Sequence, residues 1–506
     1  MSPHKPSRSP VLMLMAPWPD CAVAGCAERS FAPHPGCLGH LTPDELGDLM
    51  AGLGPGSDLD LRGVTVPERV LAALLEAVTG PDGHPHLGRS RFEGAVLPPC
   101  ASLSGTCFEG DCSFDGARFT GAVSFFAARF LGNVSFRGAR FGGNASFHGA
   151  RFQRHASFDE AVFAGDALFG ETAWGADASF TRAVFAGAAA FDRARFGRDA
   201  VLQATRFGGD VSFRRVQVAR HTRFERARFR RDLWLGPMAA GGRLVLTHAT
   251  AHGGLRVDAA ARHLAANRMA VRGPADFRLR HAELDLEDSV FGADVTVRSL
   301  SRPFQHLTEP GAAPGTARVL SLSGTSARRL ELAGMDLSRC RFTGLVHPGG
   351  LRLTGHCSFA TVPRRPRLRP RWRARTPAPS RSGGRVRGRT VVAEELAGSR
   401  QGLQTLYEQL AAAAADRDLA RDFRYRALEI RRRDDPRARN RWLLHLSWLA
   451  CGHGLRTGRT LACLAVLMLL MTAGATWARH GQHASAPVRL RPYQPVPADA
   501  TYAPRP

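Results

Sequence analysis

The fold is decided by a stretch of which residues 136–152, FRGARFGGNASFHGARF, are typical. Large apolar residues recur in it with alternating steps of five and six positions, so the full repeat is eleven residues long. The same register runs from about residue 103 to residue 235. Its members are Phe108, Phe114, Phe119, Phe125, Phe130, Phe136, Phe141, Phe147, Phe152, Phe158, Phe163, Phe169, Trp174, Phe180, Phe185, Phe191, Phe196, Leu202, Phe207, Phe213, Val218, Phe224, Phe229 and Leu235. A fixed short period of this kind is the sequence signature of a solenoid.

The repeat is typical of very short strands joined by corners. A small or β-branched residue stands two positions before nearly every large one, as Ala139 does before Phe141. Positions i and i−2 of a strand point to the same side, so each half-unit sends one small and one large side chain inward. A helix is excluded because a large residue every 5.5 positions or so does not stay on one face of a helix. Glycines such as Gly142 and Gly143 predict corners, since glycine tolerates positive φ.

The half-units can be assembled into a coil. If four of them form one turn, a turn holds about 22 residues and the regular stretch makes roughly six turns, a rod on the order of 30 Å long. The large residues would then stack along the interior. Core packing is therefore the expected role of the phenylalanines, because a platform for stacking bases would need them on the outside.

The half-units resemble those of the pentapeptide-repeat family. Ala139-Arg140-Phe141-Gly142-Gly143 and Ala150-Arg151-Phe152-Gln153-Arg154 each match its pattern of a small residue, a polar residue, Leu or Phe, and two variable residues. Alternate half-units carry a sixth residue, which is similar to a known five-and-six-residue variant. The resemblance implies a mainly β fold, a right-handed quadrilateral β-helix. We expect its regular part over residues 86–236 and a degenerate continuation over 237–360, interrupted by a loop at 301–315.

The N-terminal region contains a candidate metal site. Residues 1–20 are predicted to be disordered, and residues 21–85 to form a small helical cap over the end of the solenoid. Three cysteines and one histidine lie close together in it: Cys21, Cys26, Cys37 and His40. This ligand set suits a structural tetrahedral Zn²⁺. The alternative is a group of ordinary cysteines preceding a helix. The cysteines in the repeats, such as Cys112 and Cys340, take the small inward position, which is typical of a reducing compartment.

The region after the solenoid is strongly basic and then helical. Residues 361–390 carry eleven Arg, five Pro and no acid, and predict a linker. This linker is either a solvated spacer or a contact for anionic lipid headgroups or nucleic acid. Residues 391–433 show apolar stripes at helical spacing and predict a helical hairpin.

The C-terminal region predicts a single membrane span. Residues 434–459 form a juxtamembrane segment, and residues 460–478 contain no charge over nineteen positions, about the length that spans a bilayer. A buried helix of a soluble domain is the alternative. Arginines are more numerous before this segment than in the tail at 479–506, which predicts a cytoplasmic N-terminal bulk. The arrangement is similar to bacterial membrane-anchored pentapeptide-repeat proteins through Phe423-Arg424-Tyr425-Arg426 and Gly452-His453-Gly454.

The net charge of the chain and the absence of catalytic motifs from its sequence limit the classes of function to be considered. The chain has a formal net charge of +25, and residues 105–235 hold 19 Arg against 13 Asp and Glu. This sign is wrong for the acidic family members that mimic DNA and bind type II topoisomerase. The sequence contains no phosphate-binding loop, nucleophile elbow or His-Glu-x-x-His motif, and no catalytic or cofactor-binding residue is predicted. We expect a non-enzymatic, membrane-anchored scaffold whose β-helical surface binds proteins. The alternative is a protein that contacts nucleic acid or topoisomerase through its basic linker or solenoid.

Overall fold

The computed structural model describes residues 20–28, 30, 34–309, 316–363, 388–396, 402–434, 438–451 and 457–482. Two compact units divide the chain between Arg424 and Tyr425. The first unit contains the solenoid and its two ends, and the second contains the C-terminal helices. The predicted disorder of residues 1–20 and of the tail lies almost entirely outside the described residues.

The N-terminal end combines two helices with the first coil. Its elements are α1 (Pro43–Ala51), β1 (Ser57–Asp60), α2 (Glu68–Ala77) and β2 (His86–Arg91). Thr42 caps α1, since its hydroxyl accepts from the N–H of Glu45 and the Glu45 carboxylate accepts from the N–H of Thr42. Strand β1 pairs in parallel with β2. The solenoid therefore begins near Ser57, earlier than the predicted boundary at residue 86, because its first inward residues are Leu and Val rather than Phe.

Successive short strands fall in turn on four faces, which we name A, B, C and D. Face A holds β4 (Ala101–Ser102), β8 (Val123–Ser124), β12 (Ala145–Ser146), β16 (Ala167–Leu168), β20 (Ala189–Ala190) and β24 (Val211–Ser212). Face B holds β5 (Cys107–Phe108), β9 (Arg129–Phe130), β13 (Arg151–Phe152), β17 (Ala173–Trp174), β21 (Arg195–Phe196) and β25 (Gln217–Val218). Face C holds β6 (Cys112–Ser113), β10 (Val134–Ser135), β14 (Ala156–Ser157), β18 (Ala178–Ser179), β22 (Ala200–Val201) and β26 (Thr222–Arg223). Face D holds β3 (Val96–Leu97), β7 (Arg118–Phe119), β11 (Arg140–Phe141), β15 (Val162–Phe163), β19 (Val184–Phe185), β23 (Arg206–Phe207), β27 (Arg228–Phe229), β29 (Thr250–Ala251), β31 (Ala270–Val271) and β34 (Val290–Phe291).

Every strand of these faces pairs in parallel with the strand one coil away. On face D, Phe119 lies opposite Phe141 and Phe141 opposite Phe163, so one coil is 22 residues long. The predicted assembly of four half-units per coil is confirmed. The whole fold is a mainly β solenoid of about 12 turns, followed by helices.

The interior is filled by continuous stacks of aromatic rings. Phe141 stacks almost parallel to Phe119 and Phe163, with ring centroids 4.7 Å and 4.5 Å apart. Trp174 takes the place of a phenylalanine on face B and stacks on Phe152 at 3.9 Å. These rings are at most a few per cent exposed, and the small residues before them are also buried. Core packing, as expected from the repeat, is the role of the large residues.

The corners differ from the sequence-based expectation. Positive φ occurs once in eleven residues, at positions such as Gly138 (+64°) and Gly149 (+70°), but Glu160 (+60°) and Arg182 (+59°) occupy the same place. Gly142 and Gly143 do not have positive φ. They are glycines because the coils approach closely: a Cβ at Gly143 would lie 2.6 Å from the backbone N of Ala122.

The second half of the solenoid has longer strands and a shorter coil. Its strands are β28 (Leu233–Val245), β30 (Leu255–Ala265), β32 (Ala275–Arg280), β33 (Glu283–Asp285), β35 (Val295–Ser299), β36 (Arg318–Ser321), β37 (Leu330–Ala333) and β38 (Leu351–Thr354), with a 3₁₀ turn at Pro348–Gly350. On face D the offset falls from 22 residues for Arg228 and Thr250 to 20 for Thr250 and Ala270. The predicted degenerate region is thus a direct continuation of the same solenoid.

The C-terminal end of the solenoid is covered by short elements. Strands β39 (Ala360–Pro363) and β40 (Gly388–Val391) pair antiparallel, so both ends of the predicted 361–390 linker are strand, and its residues 364–387 lie outside the described part. Helices α3 (Ala393–Leu396), α4 (Leu403–Ala413) and α5 (Arg417–Asp434) follow. Tyr407 of α4 is fully buried, and Phe423 of α5 packs edge-on against Phe359 at 5.0 Å. These contacts shield the last coil from water.

The second unit consists of the end of α5 with α6 (Ala438–Cys451) and α7 (Thr457–Gln482). The indole N–H of Trp448 donates to the hydroxyl of Tyr425 at 3.1 Å, and the guanidinium of Arg432 lies 4.8 Å from the Trp448 ring centroid. Within α7, residues 460–477 form one helix that is long and apolar enough to cross a membrane, and none of that window is buried among the described residues.

Candidate functional site

The four residues predicted to bind metal lie together. One ligand atom from each of Cys21, Cys26, Cys37 and His40 lies within 4.8 Å of the others. The sulfurs of Cys26 and Cys37 are 3.8 Å apart. His40 Nδ1 lies 3.5 Å from the Cys21 sulfur and 3.3 Å from the Cys37 sulfur. Both Cys21 and Cys37 are buried, whereas His40 is exposed.

The backbone around this cluster explains the spacing of the ligands. Cys37 and His40 share one tight turn, since the N–H of His40 donates to the carbonyl of Cys37 at 2.8 Å. The N–H of Cys37 itself points at the Cys21 sulfur, 3.3 Å away. Arg69 of α2 donates to the carbonyls of Gly39 and Leu41, which fixes this turn against the solenoid cap. The short Cys-x2-His spacing is thus the spacing of a turn.

The electrostatics favour a thiolate at Cys21. The backbone N–H of Val23, then that of Cys37 and the side chains of His40 and Cys26, lower the pKa of Cys21 to about 6 against the effect of burial. A hydrogen bond from the backbone of Glu28 lowers the pKa of Cys26, but burial and the neighbouring Cys21 and Cys37 raise it above its ordinary value overall. A thiolate is the form that ligates a metal.

The donor set and its distances fit a tetrahedral ion. With Zn–S bonds of about 2.3 Å and a Zn–N bond of about 2.0 Å, two sulfurs are separated by roughly 3.8 Å and a sulfur and a nitrogen by roughly 3.5 Å. The separations of Cys26 from Cys37 and of Cys21 from His40 equal these values. The residues therefore form a possible Cys/His metal site, with all four positions supplied by the protein.

A second group of potential ligands was missed by the sequence reading. His86, Cys107 and Glu109 place one ligand atom each within 4.8 Å of one another. Both His86 nitrogens already contact carboxylates, Nδ1 that of Glu109 and Nε2 that of Asp82, each at 2.9 Å. Glu109 and then Asp82 raise the pKa of His86, and these two carboxylates occupy both ring nitrogens, so neither nitrogen is free to ligate a metal. The coil register, which places His86 beside Cys107, was the signal that could have revealed it.

The outer surface of the solenoid repeats its residues as regularly as the core. At the corners, arginines pair with acids about one coil away, as Arg193 does with Glu171 at 2.7 Å and Arg182 with Glu160 at 3.6 Å. On the strands of faces B and D, by contrast, the outward position before the aromatic residue is often an exposed arginine. The solenoid thus presents parallel columns of like residues, one coil apart.

The comparison with known proteins identifies the solenoid. Residues 103–151 and 147–195 match the family model described as pentapeptide repeats (9 copies). This part of the chain is therefore a pentapeptide-repeat β-solenoid, in agreement with the stacked four-faced coils. Solenoids of this family are generally non-catalytic. No curated protein and no solved structure matches the chain.

Proposed function

We propose that this chain is a non-enzymatic scaffold, anchored in a membrane by α7, whose pentapeptide-repeat solenoid binds protein partners. The observation that carries the proposal is the presence, in one chain, of a long solenoid with a regular exposed surface and of an apolar helix whose side chains from Leu461 to Trp477 are exposed, apart from the half-buried Cys463. An apolar helix of this length is stable in a lipid bilayer and costly to leave in water.

Features of the second unit support the membrane anchor. Leu467 and Leu470 of α7 are 57% and 65% exposed, which is unusual for leucines of a folded water-soluble domain. Trp442 and Leu443 of α6 are exposed as well. Aromatic residues at the headgroup level and arginines on the cytoplasmic side are typical of a membrane anchor. We therefore assign the solenoid to the cytoplasmic side, with a single span.

The Cys/His cluster has a structural place in this proposal. We infer that Cys21, Cys26, Cys37 and His40 would hold Zn²⁺, because the Cys26–Cys37 and Cys21–His40 separations are those of tetrahedral ligation and the Cys37–His40 separation, 3.3 Å, is close to it. The ion would supply four bonds that hold the turn before α1 in place, and the cap would in turn cover the first coil. The four ligands come from the protein, which is the arrangement of a structural site rather than a catalytic one.

A photo-crosslinking experiment in intact cells tests the scaffold function. A photoreactive residue is introduced at one outward position of each face, in place of Ser146, Arg151, Ser157 or Val162. We expect ultraviolet light to yield discrete protein adducts from at least one face, and the adducts to sediment with membranes. The matched control carries the photoreactive residue together with Leu467→Arg and Leu470→Arg in α7. We expect the adducts of this control to move to the soluble fraction or to be lost. Control adducts that still sediment with membranes as those of the chain with α7 intact do would contradict anchoring by α7.

The same experiment separates the scaffold from the nucleic-acid alternative. Adducts that disappear on nuclease treatment and contain nucleic acid would overturn the protein-binding proposal. The absence of adducts from all four faces, with the chain intact and in the membrane, would also overturn it.

A further inference from the structure

Face B carries a column of exposed arginines. Arg129, Arg151 and Arg195 occupy the same repeat position and are exposed, and within the described part of the chain none of them forms an ion pair. Arg129 and Arg151 lie opposite each other in the parallel ladder, about 5 Å apart in the backbone. Like charges in this arrangement repel each other. The corners of the same coils do supply acids to their arginines. Face D carries a similar column that includes Arg118 and Arg140, but of the two columns only that of face B lines the groove beside it.

A groove lies beside these arginines. It has a volume of about 570 Å³. The arginine column is interrupted at Ala173, which leaves a gap between Arg151 and Arg195. Gly175 and Gly197 form a low floor, because the close approach of the coils leaves no room for a Cβ there. Thr308 and Glu309 contribute from a loop of the second half of the solenoid.

The dimensions of the groove suit an extended peptide. Arg151 and Arg195 are two coils apart, about 10 Å, which is about three residues of extended chain. Carboxylates on such a peptide can accept paired hydrogen bonds from guanidinium groups. Gln153 and Gln217 also line the groove, and their amides carry both donors and acceptors, as a peptide backbone requires.

The groove is less suited to a nucleic acid. Its aromatic residues, Phe152, Trp174 and Phe196, are at most 3% exposed, so they offer no surface on which bases could stack. Glu309 also lines the groove, but Arg280 balances its charge, with Arg280 Nε 2.7 Å from the carboxylate, so Glu309 does not discriminate between the two kinds of ligand.

We propose that the groove on face B binds an extended acidic peptide segment of a protein partner, with Arg151 and Arg195 contacting two carboxylates about three residues apart. This inference rests on the proposed scaffold function and specifies its partner class. The proposed ligand is a peptide. Oligonucleotides and anionic lipid are tested as competing ligands.

Fluorescence polarisation with the full chain in non-ionic detergent provides the test. The probe is a labelled peptide pool with two glutamates fixed three positions apart among varied neutral residues, and the reference pool carries glutamine at both positions. We expect the acidic pool to bind with a Kd of about 10–100 μM and the reference pool to bind much more weakly. The double variant Arg151→Gln/Arg195→Gln should weaken binding roughly tenfold or more.

The chain offers a matched control on face D. Arg118 and Arg140 occupy the same repeat position, are exposed and lie opposite each other, but do not line the groove. Arg118→Gln/Arg140→Gln should leave the Kd within about twofold if the face B site is specific. A third variant, Ala173→Leu, fills the gap without changing charge and should also weaken binding. Equal circular dichroism spectra and melting curves confirm that each variant is folded.

Three outcomes would overturn the inference. In the first, the acidic pool shows no saturable binding. In the second, the face B and face D double variants weaken binding of the acidic pool equally. In the third, an oligothymidine of about 20 nucleotides or anionic vesicles bind through Arg151 and Arg195 while the peptides do not. If crosslinks from faces A, C or D to membrane-associated proteins persist in these cases, the scaffold function stands and the face B assignment alone fails.

Discussion

At the scale of single residues, the solenoid is held together by ring stacking and by close backbone contacts. In the middle of the solenoid, interior rings pack on the ring one coil below and one coil above, as Phe141 does between Phe119 and Phe163. A ring deleted from such a stack leaves a cavity that its neighbours cannot fill, because their positions are fixed by the strand ladder.

Phe141→Ala should therefore lower the free energy of unfolding by about 3–5 kcal/mol. Urea unfolding followed by circular dichroism measures the change. The neighbouring Arg140→Ala, at an exposed position of the same strand, should stay within about 0.5 kcal/mol of the unsubstituted chain. Equal effects of the two substitutions would show that the stacked core is not what stabilises the coils.

The glycines provide a second residue-scale prediction. At Gly143 a Cβ would lie 2.6 Å from the backbone N of Ala122, whereas at Gly138 nothing lies within 4 Å and only the positive φ of +64° is strained. Gly143→Ala should cost about 1–3 kcal/mol or more through overpacking, and Gly138→Ala about 1 kcal/mol through backbone strain. Thermal melts of the two variants compare them. A larger loss for Gly138→Ala would contradict the close-approach explanation.

These residues also show which features of the fold could be predicted from the sequence and which could not. The inward positions followed from the five-and-six period, because alternation in a strand is a local property. The reason for Gly143 did not follow, because the contact that excludes a Cβ comes from a residue on the neighbouring coil. The same applies to Glu160 and Arg182, whose positive φ is imposed by the corner of the coil and not by their own preference.

At the scale of elements, the Cys/His cluster links the N-terminal turn to α1 and α2. The sequence predicted its four members, since their types and spacing are those of metal ligands. If the cluster holds Zn²⁺, the purified full chain should contain about one Zn²⁺ per molecule, and Cys37→Ser should lose most of it. Metal content is measured by inductively coupled plasma mass spectrometry.

The control for this prediction is Cys100→Ser, which replaces an exposed free thiol outside the cluster. It should keep the metal content of the unsubstituted chain. Equal metal in the Cys37→Ser and Cys100→Ser variants, or none in the unsubstituted chain after purification with added Zn²⁺, would contradict a zinc role.

A second element-scale prediction concerns His86, which joins the turn before β2 to the next coil. Its pKa is raised by Glu109 and then by Asp82, and the pKa of Asp82 is lowered, first by His86. The stabilisation is therefore complete below the unfolded histidine pKa of about 6.5 and is lost as the pH rises through the raised folded value. Other titratable groups nearby are His84 and Cys107.

Hydrogen exchange of residues 80–91, corrected for intrinsic rates, should show more protection near pH 5.5 than near pH 8.5. His86→Gln should remove most of this difference, because glutamine cannot become charged. A pH dependence that is unchanged in the His86→Gln variant would assign the effect to other groups.

At the scale of the whole molecule, the architecture was largely predictable and its ends were not. The repeat predicted the coil length, because every half-unit has the same pattern of one small and one large inward residue. The start of the solenoid at β1 and the pairing of β39 with β40 escaped prediction, since their segments are short, carry no phenylalanine ladder and find partners far along the chain. The face B groove was also hidden, because it exists only once coils are stacked.

The membrane anchor is the central claim at this scale. It is tested most directly by fractionating cells that express the full chain with a C-terminal reporter, which is active only outside the cytoplasm. We expect recovery in the membrane after alkaline extraction, together with an active reporter. Leu467→Arg/Leu470→Arg should release the chain, since each Arg costs about 2.5–3.5 kcal/mol at the centre of a span. Leu443→Arg, the same change at an exposed leucine of α6, should remain in the membrane. A soluble full chain with a silent reporter would contradict the account.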